Sequence, residues 1–502
     1  MTSPAPTSIV APAPDDVDAT PITRSPADTT AAVTASAAFS TASAVTTAPS
    51  STTAPSTTTA PSVGTASLVL AGATLAASAS NYLVNLVLAR WMAPSEFGDA
   101  NLIVTLMLGI TAVAVTLQLV SARRISTADA VSAGTIRSGL LRRAWWTGAG
   151  VAAATTAAAP VLRDVTSSAS ALPFVLLAVG LPCYLAQAVE RGVLQGRLRF
   201  GGLALTLIVE AAVRSIVAIG LVALGLGVSG ATIGITASFA LTWLVARRRS
   251  SAEIDATASA RSHHLDPVDE RSPLAPATAA DTLDAARTDR LATQAAALLL
   301  VGQIIVNNGD VVLAKVLLSP TDAGIFSVVA LVGRAVFFLS WSIVTAAFPH
   351  AAREGDANAR LVERRAVRTI ALLGAAMTAL VTVAAPPLTP IVFGSDYERA
   401  APLFAPYALA TSLFAVANVR ATLGAARGRR AGASIVIGGG VGQAVLLVAL
   451  ADDLATMAWL QVVAMAALCL AVTLGARPAA SDASPASGHS PLRRRRRQDC
   501  SA

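Results

Sequence analysis

Residues 64–90 read GTASLVLAGATLAASASNYLVNLVLAR, with a single charged residue, Arg90, at the very end. At about 1.5 Å of rise per residue, about 20 mostly apolar residues cross the hydrocarbon core of a bilayer as one helix. The same pattern recurs down the chain. By that ruler about twelve blocks qualify, near 64–90, 97–120, 144–161, 171–189, 202–226, 228–246, 291–318, 324–348, 367–393, 400–419, 431–450 and 454–476. Many are rich in Ala and Gly, which lets helix backbones approach closely.

Composition agrees. Of the 502 residues 54% are hydrophobic and 13% charged, against about 25% charged in a soluble chain. The predicted fold is an all-α integral membrane protein of about 12 transmembrane helices. The net charge of +8 could suggest nucleic acid. The arginines, however, stand in short clusters between apolar blocks, the pattern of membrane topology, and no nucleic-acid partner is expected.

Those clusters orient the chain. Arg123, Arg124, Arg137, Arg142 and Arg143 lie between the second and third blocks, and Arg247–Arg249 follow the sixth. Arg353, Arg360, Arg364 and Arg365 follow the eighth, Arg427, Arg429 and Arg430 the tenth, and Arg493–Arg497 stand in the tail. The alternate connections are short and poor in positive charge. Positive loops stay inside, so the protein is expected in the cytoplasmic membrane with both termini cytoplasmic.

Two matches suggest an internal repeat. Residues 85–90 (NLVLAR) align with 310–315 (DVVLAK), each followed by a polar turn and a glycine, Gly98 or Gly324. Residues 191–195 (RGVLQ) align with 420–424 (RATLG), each followed by a basic turn. An offset of six spans preserves orientation, so two six-helix bundles are expected, at 63–246 and 291–477. A polar cytoplasmic linker is expected at 247–290. Residues 1–62, rich in Ala, Thr, Ser and Pro, and the basic tail 478–502 are expected to be disordered.

Residues 81–98 (NYLVNLVLARWMAPSEFG) resemble the opening of Wzx-type polysaccharide flippases, members of the multidrug/oligosaccharidyl-lipid/polysaccharide exporter (MOP) superfamily. Residues 308–315 (NGDVVLAK), 322–326 (DAGIF) and 347–349 (AFP) resemble the start of that family's second half, and 192–200 its turn between the fourth and fifth spans. The resemblance covers 64–476. It implies two six-helix bundles around a central cavity. It further implies transfer of a polyprenyl-diphosphate-linked oligosaccharide from inner to outer leaflet, for cell-surface polysaccharide synthesis. The expected partners are that glycan carrier, membrane lipid and glycan-synthesis enzymes.

Ionisable residues within spans are costly and are candidates for function. Arg334 falls about mid-bilayer in the eighth block. It can meet a diphosphate through its planar fork, or pair with Asp310 on the adjacent helix. Glu210 and Arg214 share one face of the fifth span. They can neutralise each other or serve the cavity, Arg214 as a second anion contact and Glu210 as a modulator or a coupling-cation site. Asp310 with Asn307 and Asn308 can bind a coupling ion or join helices, and Asn81 and Asn85 form a matching polar face. Lys315, the only lysine, and Arg90 occupy matching repeat positions. They are expected near the outer interface, snorkelling to headgroups or guiding an anionic headgroup outward.

No enzymatic role is expected. Residues 437–443 (IGGGVGQ) continue into another apolar span, not a dinucleotide-binding unit. No lysine follows a glycine-rich loop in a Walker arrangement. Cys183, Cys469 and Cys500 are scattered, and His263–His264 fall in the linker, so neither metal nor other cofactor is expected. Three other readings stay open: an ion-coupled multidrug exporter of the same superfamily, a membrane-embedded glycosyltransferase, and a non-transporting scaffold or regulator of envelope synthesis.

Overall fold

The computed structural model describes residues 63–262, 279–353, 356–426 and 429–475. The expected disordered segments 1–62 and 478–502 and the pair His263–His264 lie outside them. Every regular element among the described residues is helical. In chain order these are α1 (Val63–Trp91), α2 (Pro94–Ser126), α3 (Ala130–Val165), α4 (Leu172–Gly196), α5 (Phe200–Ala223), α6 (Gly227–Ser262), α7 (Ala279–Leu317), α8 (Pro320–Arg353), α9 (Asp356–Val392), α10 (Phe404–Ala426), α11 (Ala431–Leu450) and α12 (Leu454–Gly475). A 3₁₀ segment, Ser395–Leu403, leads into α10. Among the described residues, ten stretches are long and apolar enough to cross a membrane. Exposed Ile216, Val383, Val445 and Val463 suit an outer wall facing lipid.

The repeat seen in the sequence recurs in the packing. α1 lies on α5, α2 and α3 on α4, and α4 and α5 on α6. Six helices on, α7 lies on α11, α8 and α9 on α10, and α10 and α11 on α12. The start of each half is built alike. A short turn after α1 or α7 reaches Pro94 or Pro320, the first residue of α2 or α8. There the missing N–H costs nothing and the fixed φ favours a helix.

The halves meet where α2 packs along α7 and α8. At the end carrying the α1–α2 and α7–α8 turns, one hydrophobic cluster joins both halves. It holds Val84, Leu88, Met92 and Phe97 from the first, and Val311, Phe326, Phe393, Tyr397 and Phe404 from the second. Tyr397 also donates a hydrogen bond to the Met92 carbonyl at 3.3 Å. This end is sealed. The opposite, arginine-rich end carries no comparable cluster across the halves among the described residues.

Much of the polar stretch 247–290 is helical: α6 continues to Ser262 and α7 starts at Ala279. Residues 247–262 contain neither Pro nor Gly, so nothing breaks the helix. Side chains also anchor the extension: Ser250 donates to Glu190 on α4, and Glu253 pairs with Arg199 at the head of α5.

Candidate functional site: a cavity between the halves

Between the halves lies a cavity of about 450 Å³, walled by α1, α2, α4, α5, α7 and α8. Its polar wall includes Asn81, Asn85, Glu210, Arg214, Asn307, Asn308 and Arg334. Six spans thus contribute, which explains why no short motif contains the site.

On the first half, Glu210 is held between two arginines. Arg214 Nη2 donates to Glu210 Oε1 at 2.6 Å, the i,i+4 pair that the spacing suggested. Arg191 Nη2 donates to Glu210 Oε2 at 2.7 Å. Arg191 is itself buried on α4, and its Nε donates to Thr206 Oγ1 at 3.0 Å. Two guanidinium groups therefore share one carboxylate, leaving a local excess of positive charge in a setting poor in water. Arg214 Nη1 also reaches Asn81 Oδ1 at 3.4 Å, while its Nε is buried without an acceptor among the described residues.

On the second half, Arg334 enters the same cavity from α8. Its Nη2 donates to the Asn307 carbonyl at 3.2 Å, and its Nε is buried without an acceptor among the described residues. The alternative Asp310–Arg334 ion pair is not formed. Asp310 turns instead into the second half, fully buried, where Tyr407 Oη, Gln461 Nε2 at 2.9 Å and the Val311 N–H at 2.8 Å donate to it. Gln443 Nε2 donates in turn to Gln461 Oε1 at 2.9 Å. A cleft of about 20 Å³ lies among Arg334, Asn307, Tyr407 and Gln461, the last two being donors to Asp310. That is room for one water-sized group.

The expected Asp310–Asn307–Asn308 cluster is therefore divided. The two amides donate back along α7 to the Gln303 and Ile304 carbonyls at 2.9 Å and face the cavity. Asp310 is not among the residues lining it.

Arg90 and Lys315 part company despite their matching positions. Arg90 is exposed at the sealed end, its guanidinium beside Gly394. Lys315 does not snorkel: its side chain is 0% exposed, with Nζ 2.7 Å from Asp99 Oδ1 on α2. The other Asp99 oxygen accepts from the Ala169 N–H at 3.1 Å. The contact is a buried ion pair without hydrogen-bond geometry, since Nζ and Oδ1 have no hydrogen-bond partner among the described residues. Lys315 thus has no free charge to guide a headgroup in this conformation.

Four residues of these networks escaped the reading of the chain: Arg191, Asp99, Tyr407 and Gln461. Arg191 stood in plain view as an ionisable residue at the end of a span, but served only as a repeat marker. Gln461 is a polar residue inside an apolar span, a signal in its own right.

No protein-family model and no curated protein sequence matches the chain. Among solved structures the fold does match: it is the all-helical transporter fold of the MOP superfamily. One neighbour is the lipid II flippase MurJ in an inward closed conformation, with TM-score 0.62, 9% identity, and cover of 81% of this chain and 87% of that one. A multidrug resistance MATE family transporter, inward-facing, gives TM-score 0.58 at 14% identity, covering 80% of this chain and 92% of that one. A MOP superfamily transporter from Pyrococcus furiosus, described as having a binding pocket of reverse polarity, gives TM-score 0.50 at 15% identity, covering 82% and 95%. At such identities the likeness establishes the fold alone, that of a multi-pass helical membrane protein.

Proposed function

We propose that the protein is a flippase that moves a polyprenyl-diphosphate-linked oligosaccharide across the cytoplasmic membrane by alternating access. The observation that carries this reading is the convergence of Arg214 and Arg334, one from each half, on one cavity, each with a buried Nε left without an acceptor. A diphosphate supplies the missing acceptors, and guanidinium keeps its charge throughout the cycle. Moving a multiply charged head through hydrocarbon is prohibitive unless fixed cations offset its lost hydration. The prenyl tail would remain in lipid, as suits a wall of short side chains such as Ala77, Ser78, Ala79 and Ala335.

By the arginine pattern the sealed end is the outer end, and the described conformation then faces inward. Asp310 serves as the coupling or pairing group behind Arg334, and Arg90 as an exposed cation at the outer mouth. Enzymes of glycan synthesis are the partners that would supply and consume such a substrate.

A second reading, an ion-coupled multidrug exporter, draws support from Glu210, whose carboxylate stands in the same cavity. It is weakened by the arginines already engaging both oxygens of that carboxylate. Purified protein in vesicles containing a labelled prenyl-diphosphate sugar distinguishes the two. The flippase reading expects the sugar to become accessible to an enzyme on the opposite face. Efflux of a cationic dye without any such transfer would establish the exporter instead.

A further inference from the structure

At the arginine-rich end, away from the cavity, α3 and α6 both pack on α4 and touch each other. We infer that the face at this contact binds the headgroup of an anionic phospholipid. Trp145 on α3 and Trp243 on α6 meet edge to face, with ring centroids 5.3 Å apart and planes at 85°. The Arg247 guanidinium lies 5.5 Å from the Trp243 ring centre, one turn further along α6. Arg142 precedes Trp145 by one turn on the same face of α3. The two helices run in opposite directions, so both arginines are displaced from the tryptophan pair toward the same end. The result is a pair of guanidinium groups beneath a pair of indoles.

Both arginines are exposed. Neither has an ion-pair partner among the described residues. Glu190 on α4, which lies between the two helices, already has its own partners. Arg137 donates to it through Nε at 2.8 Å and Nη2 at 2.6 Å, and Ser250 Oγ at 2.6 Å. That triad also ties α3, α4 and α6 to one another. Trp243 Nε1 is buried without an acceptor among the described residues. Trp146, 75% exposed, extends the aromatic edge toward lipid. Indoles favour the level of the headgroups, and guanidinium forks favour phosphate. A zwitterionic headgroup would bring its own cation against Arg142 and Arg247, so the site selects net negative charge.

Native mass spectrometry of the full-length protein, titrated with phosphatidylglycerol or phosphatidylcholine, tests this. We expect the wild type to retain phosphatidylglycerol in preference. We expect Arg142→Ala/Arg247→Ala to weaken that retention about tenfold or more, as for two surface arginines facing anionic lipid. Arg364→Ala/Arg365→Ala removes equal charge from the same end of the other half and should change it by less than about twofold. Equal loss in both double variants, or equal retention of the two lipids by the wild type, would overturn the site. Should the first double variant fail to accumulate, brominated phosphatidylglycerol provides a second measurement. It should quench wild-type tryptophan emission more than brominated phosphatidylcholine does, with that excess lost in Trp145→Phe/Trp243→Phe. An equal effect of the two brominated lipids on the wild type, or an excess unchanged in that variant, would likewise overturn it.

Discussion

Gly98 and Gly324, each four residues after the proline that opens its helix, lie against each other where α2 and α8 cross. A Cβ on Gly98 would stand 3.0 Å from the Gly324 Cα, and a Cβ on Gly324 only 1.6 Å from the Pro94 carbonyl oxygen. Backbone rather than side chain occupies that space, so no rotamer change can relieve it. This contact is part of the seal that holds the halves together at one end.

Gly324→Val should therefore prevent closure of that end while leaving each six-helix half intact. Cysteines introduced near Met92 should become reactive to a membrane-impermeant maleimide applied from outside. Labelling as slow as in the parent would show that the seal does not depend on this contact.

Arg334→Ala should lower flipping about ten- to hundredfold, the worth of one charge-assisted hydrogen bond. Protein abundance should be nearly unchanged, since the residue has one protein acceptor to lose. Arg334→Lys should recover only part of the rate, because an ammonium cannot present the same fork. The vesicle assay reads both, and an unaltered rate in Arg334→Ala would remove it from the site.

Glu210→Gln should act chiefly on stability. It leaves Arg191 and Arg214 side by side without their shared counter-charge, at a cost of about 3 kcal/mol or more. Thermal unfolding in detergent should show a clear fall in Tm. A bound diphosphate analogue should restore more of that loss here than it adds to the wild type.

Lys315→Met should leave Asp99 charged and buried across the interface and so weaken the sealed end. Adding Asp99→Asn should recover part of the loss, as expected when a buried pair is removed together rather than singly. A double-mutant cycle on Tm measures the coupling, and strictly additive effects would mean that the 2.7 Å contact contributes nothing.

Asp310→Asn keeps the size of the side chain but removes its charge. If Asp310 couples transport to an ion gradient, flipping in the variant should lose its dependence on that gradient while substrate binding persists. A preserved gradient response would assign Asp310 to structure alone.

Sequence by itself determined that this chain is a bundle of membrane-spanning helices in two similar halves. Those properties rest on local facts: apolar blocks of bilayer length, arginines in alternate turns, and Pro94 and Pro320 at matching helix starts. The i,i+4 pair Glu210–Arg214 was equally legible, because helix periodicity alone brings its members together. Tertiary structure decided the rest. Arg191 joins Glu210 only because α4 packs on α5, and Asp310 is met by Tyr407 and Gln461 because α10 and α12 present those donors to it. Lys315 and Arg90 occupy the same place in the repeat, yet only Lys315 finds a carboxylate from the other half. Which side chains meet across helices depends on how the helices rotate and cross, and uniform Ala, Leu and Val text carries little record of either.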